Sequence, residues 1–145
     1  MRNLLFFLTI LIAVSLIGCG GSGAKLSTVK VTGIVTLDGA PVADASLIFV
    51  PKTQGQGHSA SGRTDADGRY QLTTPDGKAG AGTTPGEYRV AITKTELDSD
   101  APPSDRGAPV RNLIPTRYAQ ASSSGLTATV KEEKVNEINF ELTSN

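Results

Sequence analysis

Residues 28–39 read TVKVTGIVTLDG and hold the clearest strand signal in the chain. Three valines and a leucine share one parity with a glycine, Gly33, whereas a lysine and threonines fill most of the alternate positions. Successive side chains of a β-strand point to opposite faces of the sheet, so this period of two predicts a strand with one buried face. Asp38-Gly39 is a frequent turn pair and predicts the end of that strand.

The same kind of signal recurs along the chain. ADASLIFVP, residues 43–51, is apolar on both parities and predicts a central strand, whereas HSASGRT, residues 58–64, predicts a polar edge strand. RYQLT, PGEYRVAITKT, GLTATVK and NEINFELT predict four more strands, with these inward residues: Tyr70, Leu72, Tyr88, Val90, Ile92, Leu126, Ala128, Val130, Ile138, Phe140 and Leu142. Seven short strands separated by turn residues predict an all-β fold, a seven-stranded antiparallel β-sandwich.

The amino-terminal region carries a different signal. Arg2 precedes a run of fourteen almost wholly apolar residues, 4–17. As a helix this run spans roughly 21 Å, which is shorter than a hydrocarbon core of about 30 Å. A cleaved secretory signal is therefore favoured over a permanent transmembrane helix.

Leu16-Ile17-Gly18-Cys19 ends the apolar run and contains the only cysteine of the chain. These residues resemble the bacterial lipobox, which implies a diacylglyceryl thioether on Cys19, cleavage before it and acylation of the new amino terminus. An ordinary signal with an incidental or buried cysteine is the alternative. The glycine-rich residues after Cys19 predict a flexible tether. The residue after Cys19 is Gly20 and not aspartate. By the sorting rule of well-studied lipoproteins, this resembles a signal for the outer membrane.

These signals predict a signal peptide in residues 1–18, a tether in 19–27 and one domain in 28–143. The expected location is the cell envelope, anchored by lipid and facing the periplasm or the cell surface. Lys and Arg total 14, as do Asp and Glu, so the formal net charge is zero. Without a basic stripe, binding to nucleic acid is not expected. The chain has no tryptophan, so a stacking platform for sugars gets little support.

VTGIVTLDGAPVADASLIFVP, SGRTDADGRYQLTT and PGEYRVAITK together resemble the carboxypeptidase regulatory-like, transthyretin-like domain. The matching motifs are the bend at residues 38–42 and the hairpin at residues 64–70, with Asp44 where the family usually has glycine. With the lipobox, the chain is similar to the carboxypeptidase regulatory-like lipoproteins abundant in planctomycete bacteria. The resemblance implies a transthyretin-like or immunoglobulin-like sandwich in a secreted setting and no settled activity.

Two short features could carry chemistry. Asp65-Ala66-Asp67-Gly68 is similar to the start of a calcium loop, but no glutamate follows within reach, and aspartate with glycine also suits a tight turn. His58 is the only histidine and has no evident nucleophile to activate. The turn and a surface histidine are the favoured interpretations. We therefore expect no enzyme activity, no metal and no cofactor.

Residues 97–124 form a long, proline-containing interruption, in which residues 114–120 predict one helical turn. Loops longer than about 15 residues are usually functional or disordered. Arg111, Arg117 and Tyr118 are the candidate ligand-binding residues of this loop. Two functions are expected: an interaction or structural module with a protein partner in the envelope, or a module that binds a small ligand or carbohydrate. A concave pocket lined by these residues would favour the second, and a flat polar sheet the first.

Overall fold

The computed structural model describes residues 27–74, 82–100 and 109–145. Cys19, the predicted signal peptide, most of the tether and most of the glycine-rich connection in residues 75–86 lie outside these ranges. In the described part, no helix is both long and apolar enough to cross a membrane.

The described chain is all β apart from one 3₁₀ helix, Thr116–Ala119, which occupies the predicted helical turn. The strands are β1 Lys30–Leu37, β2 Ala40–Pro41, β3 Ser46–Pro51, β4 Ala60–Arg63, β5 Arg69–Gln71, β6 Gly86–Thr93, β7 Thr95–Leu97, β8 Val110–Asn112, β9 Thr127–Val130, β10 Val135–Glu137 and β11 Phe140–Leu142. The predicted all-β sandwich is confirmed, with more and shorter strands than expected.

One layer is a four-stranded sheet in the order β4-β3-β6-β9, antiparallel at every pairing. Strand β3 is central and β4 lies at the edge, as the sequence predicts. Leu47 and Phe49 on the inner face of β3 are fully buried, whereas Ile48 and Val50 on its outer face are 49% and 37% exposed. The second apolar face of β3 therefore lies in solvent.

The other layer is a five-stranded sheet arranged around β1. Strands β2 and β5 pair with β1 in antiparallel fashion along one edge. Strands β10 and β11 pair with it in parallel along the other edge. The last predicted strand is thus divided in two, and its parallel pairing differs from the antiparallel expectation.

The division between β10 and β11 occurs where Ile138 and Asn139 pass Gly33. A Cβ atom on Gly33 would overlap the carbonyl oxygen of Ile138. The Tyr70 hydroxyl donates to that same oxygen at 2.6 Å. The amide of Ile34 donates instead to the side-chain oxygen of Asn139 at 2.8 Å. At this point, hydrogen bonds from side chains replace the backbone hydrogen bonds between neighbouring strands. The close approach of the Ile138 carbonyl also means that only glycine fits at position 33.

The core lies between the two sheets and centres on Phe49. Its ring centroid lies 6.3 Å from that of Tyr70 and 5.9 Å from those of Tyr88 and Phe140. The inward residues predicted from alternation are buried, except for four that are partly buried: Val29, Leu37, Leu126 and Ile138. Aromatic pairs at such separations add about 0.5–1.5 kcal/mol each beyond the burial of area.

The strand directions define two ends of the sandwich. At the end where β1 begins, which we call the tether end, Val29 bridges Thr83 and Lys30 pairs with Val135. Strand β1 then runs for eight residues, about 26 Å at the usual rise per residue. It ends at Leu37, at what we call the far end. The Asp38 carboxylate accepts the Ser144 amide there at 3.1 Å.

Strand β6 begins at the tether end, because Gly86 follows Thr83 closely and pairs with Val130. It therefore runs toward the far end, where the hairpin β7–β8 follows it. The Leu113 amide donates to the Lys94 carbonyl at 2.8 Å and fixes the base of this hairpin.

Candidate functional site

Arg111 lies on β8 and is held by the neighbouring strand. Its Nε donates to the Glu96 carboxylate at 2.6 Å, and its Nη2 contacts the same oxygen. Glu96 and Arg111 are directly opposite in the register of β7 and β8. Both side chains remain substantially exposed, at 41% and 57% respectively. Arg111 therefore stabilises the hairpin across its strands, at a site open to solvent.

Arg117 and Tyr118 form a separate cluster at the far end. The Arg117 guanidinium lies 4.7 Å from the centroid of the Tyr118 ring. Its Nη2 donates to the carbonyl oxygens of Thr143 and Asn145. The Thr143 hydroxyl and amide hydrogen-bond the Tyr118 hydroxyl, which lowers the pKa of Tyr118. We call this set the C-terminal clasp, because it ties the 3₁₀ helix to residues 143–145.

The described parts of segment 97–124 pack closely on the sandwich rather than forming a free loop. Ile114, Tyr118 and Ser124 are all buried. The Ser124 hydroxyl donates to the Val90 carbonyl at 2.6 Å and accepts the Leu126 amide at 3.1 Å. Residues 101–108 lie outside the described ranges. The segment is therefore partly structural, which its composition did not indicate.

The hairpin β7–β8 exposes an apolar pair that sequence reasoning missed. Leu97 and Val110 are opposite in register and are 69% and 59% exposed. Thr95 and Asn112, the next pair on the same face, are also exposed. Within the described ranges, β7 and β8 pair only with each other, so each has one free edge. Such edges can accept a strand from a partner.

A groove of about 620 Å³ lies on the outer face of the five-stranded sheet and extends to β4. Its walls come from β1, β4, β5, β10 and the turn before β5, and its lining residues are Thr32, Gly33, Ile34, Arg63, Asp65, Arg69, Tyr70, Gln71, Thr73 and Glu137. None of the three sequence-predicted ligand residues belongs to this lining. Whether Arg111, Arg117 and Tyr118 bind a ligand stays a prediction.

The Asp65–Gly68 segment at the groove rim is a turn. Asp65 Oδ1 accepts the amides of Asp67 at 3.0 Å and Arg69 at 2.9 Å, and Gly68 has a positive φ of 72°. Across the described ranges, no group of three or more His, Cys, Asp or Glu side chains is placed to hold a metal ion. His58 is exposed, and its carbonyl accepts the Thr83 hydroxyl at 3.1 Å. Both favoured interpretations of these residues agree with the structure.

No family model and no curated protein matches the chain. A DUF3823 family protein from Parabacteroides merdae is similar over 81% of this chain and 47% of its own, with 18% identity and a TM-score of 0.37.

Two enzymes are similar at the same low level. A 9R-lipoxygenase from Cyanothece matches 81% of this chain and 16% of its own at 19% identity and a TM-score of 0.39. Catechol 1,2-dioxygenase from Acinetobacter, inhibited by bound mercury, matches 85% of this chain and 54% of its own, at 15% identity and a TM-score of 0.32. The chain spans about half or less of each neighbour. Likenesses this weak carry no conclusion about activity; the fold itself defines the class, an all-β sandwich domain.

Proposed function

We propose that this chain is a carboxypeptidase regulatory-like lipoprotein of the cell envelope, a non-enzymatic interaction or structural module held at the outer membrane through Cys19. The observation that supports this role best is the direction of β1. Its first residue follows the predicted tether closely, and its last lies at the opposite end of the sandwich. An anchor on Cys19 would therefore keep the tether end close to the bilayer and leave the far end free to extend away from it.

The surface that would meet a protein partner is the hairpin β7–β8. It follows the far end of β6 and combines free strand edges with the exposed pair Leu97 and Val110. Apolar side chains and unpaired backbone groups together favour strand addition by another protein. An exposed ion pair, Glu96 with Arg111, occupies the other face of the hairpin.

The second expected function, binding of a small ligand or carbohydrate through segment 97–124, has less support. Arg117 already donates to Thr143 and Asn145, and Arg111 to Glu96. A ligand would have to displace these partners.

The anchor is tested with Cys19→Ser, using Ser27→Ala as the control. Cells are labelled with radioactive palmitate and separated into membrane and released fractions. We expect Cys19→Ser to lose the label and leave the membrane fraction, whereas Ser27→Ala keeps both. Unchanged labelling of Cys19→Ser would contradict lipidation at this residue.

The partner surface is tested by placing a photo-crosslinking amino acid at position 97 or, as the control, at position 135. Val135 is 51% exposed and lies at the tether end, so the two sites differ mainly in position. We expect a discrete protein adduct in cells from position 97 only. Equal adducts from both positions, or none from position 97, would contradict a docking role for the far end.

A further inference from the structure

We propose that the groove over β1 binds a short zwitterionic peptide, with its carboxylate at Arg63 and Arg69 and its ammonium group at Glu137. This inference does not depend on the proposed anchor or on the hairpin. It rests on the placement, charge and availability of the groove's side chains.

The charged groups lie on opposite sides of β1. Arg69 on β5 is in register with Ile34, and Glu137 on β10 is in register with Thr32. Two strand spacings across the sheet and two residues along it place their Cα atoms about 12 Å apart. An extended tripeptide spans about 10 Å, and the two side chains reach over the remaining distance. An extended tripeptide is therefore long enough to bridge the Arg69 and Glu137 side chains.

The positive side of the groove is available to a ligand. In the described part of the chain, the Arg69 guanidinium has no hydrogen-bond or ion-pair partner. Among the described residues, the Arg63 side chain hydrogen-bonds only Asp44, at 3.2 Å, and both side chains are about 70% exposed. An exposed pair of this kind contributes little, so a ligand carboxylate can compete for Arg63. Guanidinium groups bind carboxylates through paired hydrogen bonds.

The Asp65 carboxylate lies at the groove rim but does not pair with either arginine. One of its oxygens is engaged by two backbone amides of the turn, and it forms no ion pair with Arg63 or Arg69. On the negative side, Glu137 receives only a long contact, 3.5 Å, from the Asn139 amide. Its carboxylate can therefore accept an ammonium group.

The floor between the charges suits peptide groups better than sugar rings. Thr32 and Gln71 supply a hydroxyl and an amide group, which both donate and accept hydrogen bonds. The Thr73 hydroxyl donates to the Ser61 carbonyl at 3.2 Å and can still accept. The groove's one aromatic residue, Tyr70, is only 4% exposed and donates its hydroxyl to Ile138. No exposed ring is left among the lining residues on which a pyranose could stack.

Titration calorimetry on the full chain in detergent tests the proposal with three probes: trialanine, trialanine amide and N-acetyl-trialanine. The first carries both charges, and each of the others lacks one. We expect saturable binding of trialanine and, because each lost charge removes a charge-assisted hydrogen bond, about tenfold weaker binding of the other two. Equal affinity for the three probes, or no binding of trialanine, would overturn the proposal.

Three variants locate the site. Arg69→Gln should weaken the preference for the free carboxylate, which Arg63 alone still binds, and Glu137→Gln should abolish the preference for the free amine. Arg89→Gln, which removes an exposed arginine from the outer face of the other sheet, should change neither. Trigalacturonate separates a zwitterion site from a simple anion site. If it binds more tightly than trialanine and Glu137→Gln does not affect it, the peptide assignment is wrong.

Discussion

Strand β1 and the hairpin β7–β8 are both extended backbone, but they differ in what holds them in place. Strand β1 pairs with four other strands and contributes Val31 and Val35 to the core. Strands β7 and β8 pair only with each other in the described ranges, and they leave Leu97 and Val110 in solvent. A two-stranded hairpin is marginally stable by itself, so the rest of the sandwich must support this one.

The contrast shows that alternation in a sequence reports burial rather than strand formation. A strand with one buried face needs apolar residues at every second position, and β1 has them. The hairpin has no buried face, so nothing forces its sequence to alternate. Matched pairs of substitutions test this contrast between buried and exposed backbone, from the largest expected effect to the smallest.

Leu47→Ala and Leu97→Ala remove the same atoms from a fully buried and a 69% exposed position. We expect Leu47→Ala to lower the free energy of unfolding by about 2–5 kcal/mol, because it leaves a cavity in the core. Leu97→Ala should change it by less than about 0.5 kcal/mol. Urea titration of the full chain measures both. Similar losses would mean that the hairpin is part of the cooperative core.

Gly33→Ala and Gly39→Ala add the same methyl group within β1 and in the turn that follows it. At Gly33 the methyl meets the Ile138 carbonyl, so we expect a loss of about 3 kcal/mol or more. At Gly39 nothing lies within 4 Å, and the positive φ of 84° alone should cost about 1 kcal/mol. The same titration compares them. If Gly33→Ala is the milder change, the β10–β11 junction can move away from β1.

Tyr70→Phe and Tyr118→Phe should alter alkaline stability in opposite ways. Burial raises the pKa of Tyr70, so its contribution to stability is complete below the unfolded value of about 10 and falls as the pH rises further. Hydrogen bonds from Thr143 lower the pKa of Tyr118, so its ionised form favours folding. Thermal melts between pH 8 and about pH 11 should show a flatter decline for Tyr70→Phe and a steeper one for Tyr118→Phe.

Tyr70→Phe also removes the hydrogen bond to Ile138, at a cost of about 1–3 kcal/mol at neutral pH. The stability of each variant at neutral pH is therefore measured first, and its change at alkaline pH is compared with that value. Parallel pH profiles for the two variants and the unmodified chain would contradict the assigned directions of the pKa changes.

Arg117→Gln should loosen the C-terminal clasp with little effect on global stability, below about 1 kcal/mol, because the site is exposed. Amide hydrogen exchange at Thr143 and Ser144 should become faster. Arg111→Gln is the matched control, since it should affect exchange in β7 and β8 and leave residues 143–144 unchanged. Faster exchange at the same amides in both variants would show that hairpin and clasp open together.

Much of the core could be predicted from residue parity. Tyr88, Val90 and Ile92 alternate with more polar residues, which predicts that they face inward, and all three are fully buried. The parallel pairing of β10 and β11 with β1 could not be predicted in this way. Parity says which face of a strand is buried, but it says nothing about which strand lies beside it.

The groove was beyond sequence reasoning for a related reason. Arg63, Arg69 and Glu137 each alternate outward in their own strands, which is also what ordinary solvated residues do. Only the pairing of β5 and β10 on either side of β1 brings them to one surface. The sequence indicates Arg117 only as a candidate ligand-binding residue, because its contacts with Thr143 and Asn145 depend on the course of the last residues.

The pairing of β1 with β10 and β11 also sets the order of events in folding. Ile34 and Asn139, which share a hydrogen bond, are 105 residues apart. During synthesis, one edge of β1 therefore stays unpaired until residues 135–142 have left the ribosome. Closure of so long a loop is slow, in the range of milliseconds to seconds typical of non-local β-proteins. A nascent chain stopped before residue 135 should remain open to chaperones and proteases.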